Sequence, residues 1–153
     1  MSIDVGVQLA PQATTTDELR RSWRLADSEG LESIRVWDHL FPLYGDPEAA
    51  HFEGWTLLAA MAVETTRARF EQADAWNTFG PPEHWAHKNR VLDEWCEKVG
   101  RDPAQIERTV AIEPSDVARV EEYAEAGVEH IIVMLGTPFD LDPVLEAKAR
   151  LSD

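Results

Sequence analysis

The sequence predicts an α/β protein built on a parallel sheet. Short apolar runs alternate with amphipathic helical stretches along the whole chain, each strand candidate followed by a helix candidate. One run, Val128 to Leu135, is nearly all apolar, the pattern of a central strand covered on both faces. Helix start and stop signals sit between the runs where such a chain needs them, and no repeat or low-complexity tract interrupts the order.

Val5 to Leu9 is the first strand. Thr15 with Glu18 three residues on is a reciprocal capping box, and Leu19, Trp23 and Ala26 follow at helical spacing. Gly30 then suits the left-handed position that ends a helix. Ser33 to Asp38 reads as the second strand, with Ile34 and Val36 alternating against polar neighbours. Leu40 to Gly54 contains Pro42, Gly45 and Pro47 and is a long loop, a kind that is usually functional. Trp55 to Thr66 is a strongly apolar helix.

Ala73 to Asn77 is a third strand of weak β-propensity, because Asp74 and Asn77 are poor strand formers. Pro81 and Pro82 open a long helix, whose buried stripe is expected to be Trp85, Leu92, Trp95 and Val99, with Gly100 at its end. Asp102-Pro103 begins a short helical turn. Arg108 to Glu113 is the fourth strand, Ser115 is placed to cap a helix that Gly127 closes, and Val128 to Leu135 is the fifth. Asp142-Pro143 starts a last helix to about Leu151.

At 153 residues, one domain over 1–153 is expected, with enough chain for a core. A net charge of −15 argues against a nucleic-acid surface, which requires clustered Lys and Arg. No stretch approaches the roughly 20 apolar residues of a membrane span. Met1 to Ala10 lacks a signal-peptide layout. Cys96, the only cysteine, fits a reducing cytoplasm. There is no Ser-His-Asp order, Walker loop or Rossmann fingerprint.

Val36-Trp37-Asp38-His39-Leu40, then Gly54-Trp55-Thr56-Leu57-Leu58-Ala59-Ala60-Met61-Ala62 and Glu64-Thr65-Thr66-Arg67, resemble the N-terminal part of the luciferase-like flavin- or deazaflavin-dependent oxidoreductases, and its deazaflavin-dependent branch most. Ala73-Asp74-Ala75-Trp76-Asn77, Leu92-Asp93-Glu94, Gly100-Arg101-Asp102-Pro103, Ile106-Glu107-Arg108 and Gly127 to Val133 resemble its C-terminal part. In that family a large part of a barrel separates Arg67–Phe70 from Ala73. The resemblance therefore implies an internally truncated, TIM-barrel-like (βα) unit. A full barrel usually needs about 250 residues and does not fit.

The surviving strands would correspond to the family's sixth, seventh, eighth, first and second, neighbours in that order. They would form an open arc with helices outside, or curl into a smaller closed barrel. Residues 67–72 would extend the preceding helix. An open arc leaves two unpaired edges and an uncovered inner face, so a homo-oligomer, a dimer of arcs, is expected.

The function that the resemblance implies is luciferase-like monooxygenase-type oxidoreductase chemistry: hydride transfer between coenzyme F-420 (a deazaflavin) or FMN and a small organic substrate. The alternative is an inactive remnant that folds and self-associates. Barrel enzymes carry their catalytic groups at strand C-termini, which singles out Asp38 and His39. His39 would serve as proton donor or hydrogen-bond partner of the reactive ring, since histidine titrates near neutrality. The plainer reading is an Asp capping local amides beside a solvated His.

Glu53 and Trp55 would face the same mouth, Trp55 flanking a planar ring or simply lying in the core. Gln8 and Asn77 would bond a ring edge, or satisfy their own loops. Gly136 would approach a phosphate through backbone N–H groups. Trp76 reads as packing. His84 and His87 have a spacing that metals use but no third ligand, so a surface placement is expected and no metal. Cys96, beside an expectedly buried Trp95, reads as a packed thiol.

Overall fold

A computed structural model describes residues 3–37, 39, 42–67 and 75–152. Its order is β1 (Asp4–Leu9), α1 (Thr16–Ser28), β2 (Ser33–Arg35), α2 (Gly54–Glu64), β3 (Ala75–Thr78), α3 (Pro82–Val99), β4 (Glu107–Ile112), α4 (Val120–Ala126), β5 (His130–Leu135) and α5 (Asp142–Leu151). All strand pairs are parallel, and the sheet order is β2-β1-β5-β4-β3. This is the α/β, truncated-barrel arrangement expected, in the expected strand order, with β5 at the centre. Among the described strands β2 and β3 are the two ends.

Alternation along each strand divides the sheet into two faces. Val5, Val7 and Leu9 of β1, Ile34 of β2, Val110 and Ile112 of β4, and Ile131, Val133 and Leu135 of β5 all belong to one core cluster with Leu19, Trp23, Met61, Trp85, Tyr123 and Val144 of the helices. Each such side chain contributes roughly 1.5–3 kcal/mol of burial, so this layer outweighs any surface ion pair at about 0–1 kcal/mol. The capping box of α1 is present, with Thr15 Oγ1 accepting from the Glu18 amide at 3.2 Å.

The other face carries Ser33 and Arg35, Asp4, Gly6 and Gln8, His130, Ile132 and Met134, Glu107, Thr109 and Ala111, and Asn77. Its residues are brought level by the registers Gly6↔Ser33, Gly6↔Ile132, Thr109↔His130 and Asn77↔Thr109. This inner face is not uncovered, contrary to the expectation for an open arc. Ser33, Thr109 and His130 have no solvent exposure, and Ile132 and Ala111 have almost none. The cause is curl: Ser33 Oγ reaches His130 Nε2 at 2.9 Å across the intervening strand β1.

Four local expectations are corrected. Strand β2 stops at Arg35, short of Asp38. Helix α2 stops at Glu64 and does not run on towards residue 72. Thr65 is extended (φ −113°, ψ 159°), and the Asp27 carboxylate draws the chain away by accepting the amides of Thr66 at 3.0 Å and Arg67 at 2.8 Å; residues 68–74, including Ala73 and Asp74, lie outside the described residues. Ser115 caps nothing: a 3-10 turn, Pro114–Arg119, precedes α4, closed by the Asp116 amide on the Glu113 carbonyl at 2.9 Å.

Trp95 is 59% exposed, with the Lys98 ammonium 4.7 Å from its ring centre. The buried stripe of α3 runs instead through Trp85 and Cys96, and one residue of offset turns a helix side chain by about 100°. Arg108 draws the same face of α3 towards β4, donating to Asn89 Oδ1 at 2.6 Å and Asp93 Oδ1 at 2.8 Å. Cys96 is buried, as expected.

Candidate active site

The C-terminal ends of the strands form one mouth of the sheet. Gln8 and Arg35 are register partners in its upper layer, both partly buried. Beyond Arg35 the chain enters the long loop, which folds back on the segment after β1 through Gln12. The Gln12 amide donates to the Tyr44 carbonyl and accepts from the Leu43 amide, each at 2.8 Å. Two backbone hydrogen bonds continue the clasp, Ala13 N to Ala50 O and Phe52 N to Pro11 O, and together they make the antiparallel Gln12–His51 bridge.

The clasp assembles aromatic rings at the mouth. The Trp37 ring lies 6.3 Å from that of His39 and 6.2 Å, edge-on, from that of Tyr44. Burial, and then the Glu113 carboxylate, pushes the Tyr44 hydroxyl above its ordinary range. His51 Nε2 donates to the His39 carbonyl at 2.6 Å. A carbonyl only accepts, so Nε2 carries the proton and Nδ1 of the neutral ring is an acceptor. That buried Nδ1 and the buried Trp37 Nε1–H have no hydrogen-bond partner among the described residues. A buried donor and a buried acceptor left unmatched at one mouth are unusual and costly.

The residues singled out in the sequence are distributed as follows. His39 is exposed at this mouth, Gln8 is in its upper layer, and Gly136 follows β5 with nothing within 4 Å of where a Cβ would stand. Asp38 lies outside the described residues. Glu53 caps α2, its carboxylate accepting from the Thr56 hydroxyl at 2.6 Å and from the amides of Trp55 and Thr56. Those bonds, the hydroxyl first, hold its pKa below the ordinary carboxylate range. Glu53 also lines a groove of about 470 Å3 with Arg20 and Trp23 of α1, on the helical side of the sheet. Trp55 is 58% exposed and packs in no core. Asn77 sits on end strand β3 and accepts from the Thr109 hydroxyl at 2.9 Å. His84 and His87 are exposed on α3.

Sequence reasoning missed Gln12, Tyr44 and His51, because a loop's cross-strand clasp leaves no periodic signature. It also missed a polar cluster at the opposite, N-terminal end of the sheet. There His130 Nδ1 contacts Glu107 Oε1 at 2.9 Å, while Ser33 Oγ holds Nε2 at 2.9 Å. His130 was legible as the one titratable side chain on the inward phase of the last strand.

No family model matches the chain, and no curated protein matches its sequence. Among solved structures, an F420-dependent secondary alcohol dehydrogenase in complex with an F420-acetone adduct superposes with a TM-score of 0.67. The alignment covers 97% of this chain and 99% of that chain at 10% sequence identity. That likeness shows the fold. No helix among the described residues is long and apolar enough to cross a membrane.

Proposed function

We propose that the C-terminal mouth binds the planar ring of a deazaflavin, with FMN as the alternative cofactor, and that the chain is an oxidoreductase acting on a small organic substrate. The observation that carries this reading is the unmatched pair Trp37 Nε1–H and His51 Nδ1 beside three aromatic rings. A heteroaromatic ring with polar edges satisfies both groups while stacking on apolar faces. The fold likeness to an F420-dependent dehydrogenase supports the same class of cofactor.

When bound, such a cofactor supplies hydride transfer. The chain's own groups would do the rest. Trp37 orients the ring edge, His39 presents an exposed imidazole for proton exchange with substrate, and the Gln12 clasp holds the loop over the mouth. Asp38 belongs to the same proposal by its position between Trp37 and His39.

The test is titration with the deazaflavin coenzyme and separately with FMN, followed by fluorescence, with mass recorded on the same sample. Micromolar binding that weakens in Trp37→Phe and His39→Ala supports the reading. A folded protein that binds neither overturns it.

A second reading, self-association without turnover, is favoured by α2. Its outward residues Trp55, Ala59, Ala60, Ala62 and Val63 are all exposed and apolar, Val63 being 86% exposed. Such a face is uncommon on a protein that stays monomeric. A monomeric mass in sedimentation would remove that reading.

A further inference from the structure

We propose that Asp4, Glu107 and His130 form a binding site for a divalent transition-metal cation, such as Zn2+ or Mn2+, at the N-terminal end of the sheet. The three residues begin β1, β4 and β5, which are adjacent in the sheet. Asp4 and His130 are register partners, and Glu107 projects from the same face two residues before Thr109, the partner of His130. One ligand atom from each lies within 4.8 Å of the other two. Ligands about 2.0–2.2 Å from a shared ion stand closer than that to one another, so a small inward movement of two carboxylates completes the set.

The donor chemistry selects the ion. Two carboxylates and one imidazole suit borderline and moderately hard dications, and no thiolate is present to favour softer metals. His130 is fully buried and anchored from behind by Ser33, the arrangement that orients a metal-binding imidazole. A serine hydroxyl donates or accepts. It can therefore donate to Nε2 while Nδ1–H bonds Glu107, and accept from Nε2–H once Nδ1 turns its lone pair to an ion.

Gly6 makes this anchoring possible, since a Cβ there would stand 2.1 Å from Ser33 Oγ and 2.9 Å from His130 Nε2. The solvent side is a cavity of about 870 Å3 lined by Asp4 and Glu107 together with Glu125 and Glu129. Its acidic lining concentrates cations, and its volume leaves the remaining coordination positions to water or a ligand. This site lies at the other end of the sheet from the proposed cofactor mouth, so either proposal can fail alone.

The test uses the whole chain, freed of metal by dialysis against a chelator. It is titrated with Zn2+ against a chromophoric chelator and with Mn2+ by loss of the free-ion resonance signal. A single equivalent is expected to bind, and the His130 ring-nitrogen resonances of 15N-labelled wild-type protein are expected to move with the first equivalent of Zn2+. Ser33→Ala should weaken binding about tenfold, as loss of an orienting partner does. Glu107→Gln and Asp4→Asn should weaken it further, while the double change His84→Ala, His87→Ala leaves it unaltered. Absence of stoichiometric binding, unmoved His130 resonances, or binding lost with His84 and His87 would overturn the proposal. The resonance readout needs no variant and decides the matter if a substitution unfolds the chain.

Discussion

The Ser33 hydroxyl and His130 Nε2 are 2.9 Å apart, although their strands are not neighbours. Strand β1 runs between them, and Gly6 is the residue that the contact passes over. Gly6→Ala is expected to destabilise the fold by about 1–3 kcal/mol, the usual range for forcing atoms into a packed site. Urea unfolding measures this. Because Ser33 Oγ is the nearest obstacle at 2.1 Å, adding Ser33→Ala should recover part of the loss. Strictly additive losses would mean that the two residues do not meet.

Arg108 is an almost buried guanidinium on the helical face of β4, bonded to Asn89, Asp93 and the Pro103 carbonyl. Its forked donors tie α3 and the turn at Pro103–Gln105 to the sheet. Arg108→Ala should cost about 2–3 kcal/mol, as expected for hydrogen bonds to charged groups. Arg108→Lys should recover only a fraction, since an ammonium cannot reproduce the fork. Full recovery in thermal unfolding would show that charge alone matters.

Glu64 links α2 to α1 by accepting from Arg20, from the Trp23 indole at 3.0 Å and from Arg24 at 3.1 Å. The Arg20 guanidinium first, helped by Trp23 and Arg24, brings its pKa down to about 2. A folded-state value below the unfolded one, about 4.3, contributes stability above the unfolded value. That contribution is lost as pH falls from about 4.3 to about 2. Glu64→Gln should therefore lower stability at neutral pH and flatten the acid limb of a stability–pH curve. An unchanged acid limb would assign it to other carboxylates.

The two tryptophans of α3 should behave oppositely. Trp85 is fully buried, with its N–H on the Thr109 carbonyl at 3.0 Å and its ring 5.7 Å from that of Trp76. Trp85→Ala should cost about 3–5 kcal/mol. Trp95→Ala, at an exposed position, should stay within about 0.5 kcal/mol. Equal losses in chemical denaturation would place Trp95 back in a core.

The contrast shows which physical signals a sequence carries. Strand type was legible because Val128 to Leu135 is a nearly unbroken apolar run and the Thr15–Glu18 and Gly100 caps punctuate the helices, whereas strand order came only from the family resemblance. The phase of α3 was not legible: Trp85, Trp95 and Cys96 are all apolar, and only the partner surface, set by Arg108, decides which of them turns inward. The end of α2 was missed because its terminator, Asp27, is remote in sequence. At the mouth the place of His39 after a strand was readable, whereas Tyr44 owes its position to the side chain of Gln12 and His51 to the backbone bridge beside it. The polar inner face escaped because the degree of curl, on which the His130 contacts depend, is a property of the assembled sheet.

The position of β5 has a consequence for synthesis of the chain. Strand β1 has β2 available as soon as residue 35 emerges, but its other neighbour begins at residue 130. Strand β4 waits for the same partner. Until translation passes residue 135, two half-sheets lack the strand that joins them, each with an edge open to stray pairing. Ribosome-bound chains halted before β5 should therefore be cut readily by protease. Those that expose α5 as well should resist, so the arrival of β5 carries the commitment to fold.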